Sequence, residues 1–253
     1  MFPYVHNLYG QVSLLTDWGS PMDGSETAAL VKTLARARDF DLAGITAPEG
    51  DGLPVWVGSV VVLGLYTPDD AYDFNTYVEI AGRRRWHKMA YEAVVARAAL
   101  LALDLNARGI RAEPLTFVDS ASLVDLREAA VRAGLGIRGL NGLVVTREFG
   151  PRVRFGAVFV EAELPRDAPV PDYYCASCSI CISKCPTGAL APWGFDRSLC
   201  TAEFDPSPEM VARQKQTAQQ ITPFTRLQCN LCISTCPIGK NRAITWWDGE
   251  KGS

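Results

Sequence analysis

Eight cysteines in the last third of this 253-residue chain constrain its fold more than any other feature. Four of them lie in CASCSICISKCPTG (175–188), at the spacing C-x2-C-x2-C-x3-C with a proline after the fourth. A second stretch, CNLCISTCPIG (229–239), repeats residues 178–188 at the cysteines, an Ile-Ser pair, a Cys-Pro pair and a glycine. Cys200 lies between the two. Two copies of one motif indicate a duplicated unit.

The spacing of these cysteines is typical of iron–sulfur ligation. Two-residue gaps in a tight loop let successive thiolates reach different irons of a 4Fe–4S cube, with backbone N–H groups facing the sulfides. In two-cluster ferredoxins the cysteine before the proline binds the other cluster. The eight thiols therefore divide into two predicted ligand sets. The first set is Cys175, Cys178, Cys181 and Cys236, and the second set is Cys185, Cys200, Cys229 and Cys232.

Zinc binding and disulfide bonding are the two alternative uses of these cysteines. Zinc also binds paired C-x2-C motifs, but a third cysteine two residues further on and a Cys-Pro end are unusual for zinc. Disulfides are rare in reducing compartments, and a chain of this length buries a core without covalent cross-links. The N-terminus MFPYVHNLYG has no signal-peptide pattern, and the apolar run 57–66 is too short to span a bilayer. We therefore expect a soluble, cytoplasmic protein with no membrane partner.

The charge balance bears on partners. The net charge is −3 and the pI about 5.5, whereas a dedicated nucleic-acid binder usually carries a positive excess. The basic run RRRWHK (83–88) is interpreted as the solvated start of a helix, with a phosphate-facing patch as the alternative.

The first 165 residues alternate between helix and strand patterns. Residues 23–40 predict a helix capped by Asp23 or Ser25, with Leu30, Leu34 and Ala37 on one face. Further helices are predicted at 86–108, ending at Gly109, and at 120–134. Strands are predicted at 41–46, 57–66, 110–118, 141–146 and 153–160. The run 57–66 is apolar on both faces and is predicted to be a central, covered strand. The last two strands are predicted to form a hairpin around REFGPR (147–152).

These elements predict two domains. Composition changes near residue 165, and the segment 163–174 holds three prolines and is typical of a connection. Residues 1–165 predict an α/β layered, cofactor-binding domain without the Gly-x-Gly-x-x-Gly dinucleotide motif, and residues 166–253 a cysteine-rich domain organised by metal ligation.

Two stretches of the first domain are candidates for chemistry. Asp119 lies in FVDSASL (117–123) at a predicted strand end, where it could cap the following helix or donate a proton in a pocket. AGLGIRGLNGLVV (133–145) has four glycines in nine residues, which either allow backbone to approach a bulky ligand or form a winding loop. The chain has only two histidines, His6 and His87, so a histidine-ligated metal or haem is not expected.

Together these motifs resemble the epoxyqueuosine reductase family, which is related to the reductive dehalogenases. The resembling stretch covers about residues 110–237. The family has a VD strand end, a helix, AGLGWIGKN, a hairpin, C-x2-C-x2-C-x3-C-P-T-G-A, a lone cysteine and C-x2-C-x3-C-P. The corresponding pieces here are VDS, AGLGIRGLN, CASCSICISKCPTGA, SLC and CNLCISTCP. All eight cysteines map one for one.

The resemblance implies an α+β fold, with a nitroreductase-like α/β domain followed by a ferredoxin-like module with two 4Fe–4S clusters. It implies that the first domain binds cobalamin base-off, that cobalamin reduced through the clusters removes an epoxide oxygen, and that Asp119 donates a proton. Residues of the glycine-rich stretch would contact the cofactor: Gly134, Leu135, Gly136, Gly139 and Asn141. An electron donor such as ferredoxin or flavodoxin would be a partner.

This chain departs from the family in ways that bear on its substrate. Ile137 and Leu140 replace the family's Trp and Lys, and the segment that usually covers the substrate is short. The chain ends 17 residues after Cys236 (253 − 236), without tRNA-holding helical repeats. We expect an oxidoreductase for which tRNA is disfavoured as the substrate but is kept as an alternative. The alternatives are an electron-transfer protein that reduces or activates a partner's corrinoid, and FMN in place of cobalamin.

Overall fold

In a computed structural model, the fold is described for residues 22–50, 52–68, 73–80, 83–116, 123–175, 178–202, 209, 212–213, 220–222 and 225–239. These residues form a mixed α/β structure. Within them, no helix combines the length and the apolar character needed to cross a bilayer.

A four-stranded antiparallel sheet forms the centre of the fold. Its strand order is β1-β2-β8-β5, with β1 at Leu42–Thr46, β2 at Ser59–Tyr66, β5 at Ala112–Pro114 and β8 at Val153–Val160. β2 pairs with β8 over its whole length, from Ser59 opposite Val160 to Tyr66 opposite Val153. Seven of the eight residues of β2 are buried, which confirms the predicted central, covered strand.

Helices cover both faces of this sheet. Helices α1 (Gly24–Ala37) and α2 (Met89–Asn106) pack on one face, in a core that includes Val31, Leu101 and Val158. Helix α3 (Leu126–Arg132) packs on the other face, in a second core with Val60, Ala129 and Phe159. The layers follow from the sequence, since a strand that is apolar on both sides needs a helix on each side.

Helix α1 begins at a capping box. The Asp23 carboxylate accepts hydrogen bonds from the N–H groups of Ser25 (2.7 Å) and Glu26 (2.8 Å), and Glu26 accepts one from the Asp23 N–H. Of the two predicted caps, Asp23 and Ser25, Asp23 is thus the cap of α1. The predicted apolar face is wrong by part of a turn, because Val31 and Ala35 are buried whereas Ala37 is exposed.

Two predictions about secondary structure are wrong. Residues Arg83–Lys88 form strand β4, paired with β3 (Phe74–Ile80), and helix α2 begins only at Met89. Arginine and tryptophan fit both states, and pairing with a neighbouring strand decides between them. The predicted hairpin around 147–152 does not form either: β7 (Val144–Val145) pairs with β6 (Ile137–Arg138), while β8 joins the central sheet.

Short elements carry the cysteine motifs. Helix α4 (Ile180–Ser183) and helix α5 (Leu231–Ser234) follow the first cysteines of the two copies. A small hairpin, β9 (Leu190–Ala191) and β10 (Gly194–Phe195), and a 3₁₀ turn at Arg197–Leu199 lead to Cys200.

Strands β11 (Gln220–Thr222) and β12 (Thr225–Leu227) extend a second sheet of order β11-β12-β3-β4. The cysteine-rich part therefore shares a sheet with the part before it.

Candidate functional site

The two cysteine motifs adopt the same local structure. In each, a short helix begins two residues after a cysteine, Cys178 or Cys229. The first turn is closed by a hydrogen bond to the residue before the helix, from the Ile182 N–H to the Ser179 carbonyl (3.0 Å) and from the Ile233 N–H to the Asn230 carbonyl (2.7 Å). Gly188 and Gly239 end the two motifs with φ of 68° and 75°. The repeat seen in the sequence is thus also a repeat of backbone conformation.

The thiols of the predicted first set are neighbours. Burial raises the pKa of the Cys181 thiol, and the nearby Cys175, Cys178 and Cys236 raise it further. Burial likewise raises the pKa of the Cys236 thiol, whereas a hydrogen bond from the Ile238 N–H and the charge of the Arg152 guanidinium lower it. Cys175, Cys181 and Cys236 are buried.

The thiols of the predicted second set form another group. Burial raises the pKa of Cys232 to about 12, and the nearby thiols Cys229, Cys200, Cys181 and Cys185 raise it further. A thiol with such a pKa ionises only when a cation replaces its proton, which is what an iron ion does. Cys181 belongs to the first set, so the two groups of thiols adjoin each other.

Cys185 differs from the other thiols in its surroundings. Burial opposes ionisation of its thiol, yet hydrogen bonds from the N–H groups of Thr187, Leu190 and Ala189 outweigh burial, so the pKa of Cys185 is lowered. N–H groups directed at a sulfur also stabilise a thiolate bound to a cluster.

Among the described residues, no three Cys, His, Asp or Glu side chains converge on the position of a single metal ion. The four thiolates of a cube instead bind four separate irons.

A cavity of about 240 Å³ lies between the central sheet and the cysteine motifs. Apolar side chains form much of its wall, among them Val153 and Phe155 of β8 and Phe195 of β10. The structure describes all four thiols of the first set, and none of these four lines the cavity. All four thiols of the second set line it: Cys185, Cys200, Cys229 and Cys232.

Charged and polar groups at the cavity are fixed by mutual contacts. Arg154 and Asp73 form an ion pair in which each side chain is only 11% exposed, and Asp73 also accepts a hydrogen bond from Asn230 (3.1 Å). Lys88 and Arg127 also line the cavity. Sequence patterns did not single out this ion pair, because nothing in a single sequence marks which surface-type residues become buried.

The predicted glycine-rich stretch approaches protein backbone closely. A Cβ atom at Gly134 would lie 2.3 Å from the Ala168 carbonyl oxygen, and one at Gly136 would lie 2.5 Å from that of Val145. A Cβ atom at Gly139 would lie 2.5 Å from a Val145 methyl carbon. At these three positions the absence of a side chain permits packing within the protein.

The other predicted cofactor residues lie on two sides of the stretch. Leu135 packs into the core beneath α3. Asn141 is buried, lines the cavity, and donates a hydrogen bond to the Cys232 carbonyl (3.3 Å) while accepting one from the Leu143 N–H (3.1 Å). Ile137 and Leu140, where the sequence departs from the family motif, pack beside Cys175. The stretch therefore contacts both cysteine motifs.

Asp119 lies outside the described residues, so its catalytic role stays a prediction. The cap of α3 is made by Asp125, which accepts hydrogen bonds from the N–H groups of Arg127 (2.9 Å) and Glu128 (3.3 Å). The capping role considered for Asp119 thus belongs to Asp125.

Sequence reasoning missed Arg152, which follows the Gly-Pro pair before β8. It is 8% exposed, and its guanidinium donates hydrogen bonds to four carbonyls of the second cysteine motif. The acceptors are the oxygens of Ile233 (3.1 Å), Ser234 (3.4 Å), Cys236 (2.9 Å) and Ile238 (3.0 Å).

Comparison with known proteins identifies relatives. An epoxyqueuosine reductase of Atelocyanobacterium thalassa (isolate ALOHA) is 32% identical over 181 residues, which is 71% of this chain and 57% of that protein. One from Lactococcus garvieae (strain Lg2) is 34% identical over 123 residues, 49% of this chain and 34% of that protein. The chain thus spans between about a third and a little over half of these relatives. No protein-family model matches the chain.

Solved structures share the fold. A crystal structure of epoxyqueuosine reductase with an epoxyqueuosine-modified tRNA stem loop has a TM-score of 0.62 at 18% identity, covering 85% of this chain and 66% of that one. A reductive dehalogenase structure described with a mechanism for B12-dependent dehalogenation has a TM-score of 0.56 at 17% identity, covering 80% and 35%. The chain is thus similar in sequence to epoxyqueuosine reductases, and it shares its fold with an epoxyqueuosine reductase and with a reductive dehalogenase.

Proposed function

We propose that this protein is an iron–sulfur oxidoreductase in which two 4Fe–4S clusters pass electrons to cobalamin, which reduces a substrate other than tRNA. The proposed domains are a nitroreductase-like one, residues 1–165, and a ferredoxin-like one, residues 166–253. The proposed ligands are Cys175, Cys178, Cys181 and Cys236 for one cluster, and Cys185, Cys200, Cys229 and Cys232 for the other.

One observation carries this proposal: the four thiols of the second set, and none of the first, line the cavity beneath β8. A cluster held by the second set would touch a ligand in the cavity, and one held by the first set would lie behind it. That arrangement is a relay, in which the first cluster takes electrons from a donor such as ferredoxin or flavodoxin and the second delivers them.

The residues around the cavity fit cobalamin in their chemistry. Apolar side chains such as Val153 and Phe155 suit the faces of a corrin ring, and the Asn141 amide and Arg127 suit its amide and phosphate groups. His87 is exposed and does not line the cavity, so among the described residues no histidine would hold the group there. Bound cobalamin would supply a cobalt centre that exchanges electrons with cluster and substrate.

The chain's own residues would position the reactants. Asn141 joins the glycine-rich stretch to the Cys232 loop, and the Asp73–Arg154 pair fixes the opposite wall. Asp119 is proposed as the proton donor. Of the predicted cofactor residues Gly134, Leu135, Gly136, Gly139 and Asn141, it is Asn141 that lines the cavity, and it is proposed to contact the cofactor. A substrate other than tRNA is supported by the net charge of −3, since a tRNA surface attracts basic proteins.

The cluster assignment is tested by iron analysis of anaerobically purified protein. The expected result is about eight irons per chain for the wild type and about four for each of Cys175→Ala and Cys200→Ala, with a different cluster signal lost in each variant. Cys200→Ala is the sharper variant, because this cysteine lies outside both motifs. Zinc in place of iron, or loss of both signals in both variants, would contradict the assignment.

The cofactor and proton-donor roles need separate measurements. Titration of the iron-loaded protein with cobalamin should give a corrinoid absorption change on binding, and Asn141→Ala should weaken it. No binding would overturn the cofactor proposal, and a flavin spectrum in the purified protein would favour FMN instead. Asp119→Asn should lose turnover while still binding cobalamin, and wild-type turnover by this variant would remove Asp119 from the mechanism.

The size of the cavity favours a second candidate function. At about 240 Å³ it is below the roughly 300–1,000 Å³ usual for small-molecule pockets, so a corrin ring would project from it. A projecting cofactor face suits an electron-transfer protein that reduces or activates a corrinoid of a partner protein. Multiple turnovers on a small substrate without any partner would exclude this alternative. Turnover only after addition of a corrinoid protein would support it.

A further inference from the structure

Arg152 is a buried cation without a charged partner among the residues that the structure describes. Its guanidinium, on a side chain 8% exposed, bonds only to carbonyl oxygens there. The next arginine along the chain, Arg154, is instead neutralised by Asp73. A buried charge that no carboxylate offsets is costly, and such charges persist where another negative group lies near.

The acceptors of Arg152 all belong to one cysteine motif. Ile233 and Ser234 end helix α5, Cys236 is the cysteine before the proline, and Ile238 follows two residues later. The guanidinium therefore holds the backbone of the loop that presents the Cys236 thiol. In the first copy, backbone N–H groups of Thr187, Ala189 and Leu190 point at the Cys185 thiol. In the second copy the Ile238 N–H points at the Cys236 thiol, and Arg152 binds the carbonyls of the loop in addition.

We propose that the fixed charge of Arg152 raises the reduction potential of the cluster bound through Cys236, which is the cluster remote from the cavity. This rests on the proposed ligand sets. A 4Fe–4S cluster gains one negative charge when it takes up one electron, and a nearby cation in a water-poor environment favours the more negative state. Net charge and hydrogen bonding around a cluster are the main means by which a protein sets its potential.

The experiment compares Arg152→Gln, Arg152→Lys and wild type, each loaded with iron and purified anaerobically. Dithionite, a one-electron reductant, titrates both clusters while electron paramagnetic resonance follows each signal, and Cys200→Ala identifies which signal belongs to the cluster of the first set. For Arg152→Gln we expect at least a tenfold lower ratio of reduced to oxidised first-set cluster at a given potential, which corresponds to about 59 mV for a one-electron couple. Arg152→Lys keeps the charge and should keep the potential.

Arg147 offers a matched control. It lies beside Tyr174, the neighbour of Cys175, but its side chain is 57% exposed and paired with Asp172 at 2.6 Å. Solvent and the carboxylate screen its charge, so Arg147→Gln should leave the first-set potential near that of wild type. A shift in Arg147→Gln as large as that in Arg152→Gln would overturn the proposal, because any lost surface charge would then suffice.

The remaining outcomes of the Arg152 experiment also support or contradict the proposed role of its charge. If Arg152→Gln holds about eight irons with both potentials unchanged, the charge has no electrostatic role. If Arg152→Lys shifts as far as Arg152→Gln, the fork of hydrogen bonds matters rather than the charge, and the proposal is wrong. If Arg152→Gln fails to load, Arg152→Lys decides: loading with the wild-type potential supports the role of charge, and failure to load opposes it. Wild-type protein without two clusters contradicts the proposed function instead, before any variant is compared.

Discussion

The turn before β8 and the end of the second cysteine motif approach too closely for a side chain. Gly150 has φ of 60°, and a Cβ atom there would lie 2.1 Å from the Ile238 carbonyl oxygen and 2.9 Å from its carbon. The same oxygen accepts a hydrogen bond from Arg152 (3.0 Å). Gly150→Ala should therefore push the Ile238 backbone away and disturb the loop that carries Cys236.

Gly109 provides the matched control for the size of this effect. Its φ of 78° is also left-handed, but a Cβ atom there would meet no atom within 4 Å. Gly109→Ala should cost only the left-handed conformation, about 1–2 kcal/mol. Gly150→Ala adds an overlap with backbone that cannot rotate away, and overpacking of this kind costs about 1–3 kcal/mol more. The expected total for Gly150→Ala is about 2–5 kcal/mol.

The assay is urea unfolding of both variants under anaerobic conditions, followed by far-ultraviolet circular dichroism, together with iron analysis of the folded proteins. Gly150→Ala should lose more free energy of unfolding than Gly109→Ala and should also lose iron, whereas Gly109→Ala should keep the wild-type iron content. Equal losses of stability within about 0.5 kcal/mol, with equal iron content, would refute the close-contact argument.

Three further predictions follow from polar contacts. Arg154→Met should leave the buried Asp73 without its charged partner and lower the free energy of unfolding by about 3–5 kcal/mol. Adding Asp73→Asn should recover part of this loss, which a double-mutant cycle of urea unfolding measures. Hydrogen bonding and charge from Arg38 lower the pKa of Asp104 against burial, so their stabilisation is present above the usual pKa of 3.8 and lost as pH falls through the folded value. Arg38→Gln should thus cost about 0.2–1 kcal/mol near neutral pH and nothing in strong acid, by urea unfolding at both pH values. Asn141→Ala removes two hydrogen bonds from a buried position and should cost about 1–3 kcal/mol by the same measurement.

Secondary structure followed from the sequence where a pattern is local. The β-branched run of β2 and β8 and the Asp23 cap of α1 were predicted, because burial on both faces and a capping box leave clear residue patterns. Strand β4 was not predicted, because its residues Arg83–Lys88 carry little of the apolar alternation that marks a strand. Pairing with β3, which directly precedes it in the chain, decides its state.

The sequence by itself determined the eight thiols and their duplicated spacing, and it predicts their division into two ligand sets, because the spacing of cluster ligands must match a cube of fixed size. The tertiary structure decided what surrounds them. It set the second group of thiols against a cavity, buried the Asp73–Arg154 pair in the cavity wall and directed Arg152 at the loop of Cys236. These contacts join residues some eighty positions or more apart in several cases, and only packing of the layers, which no local pattern specifies, brings them together.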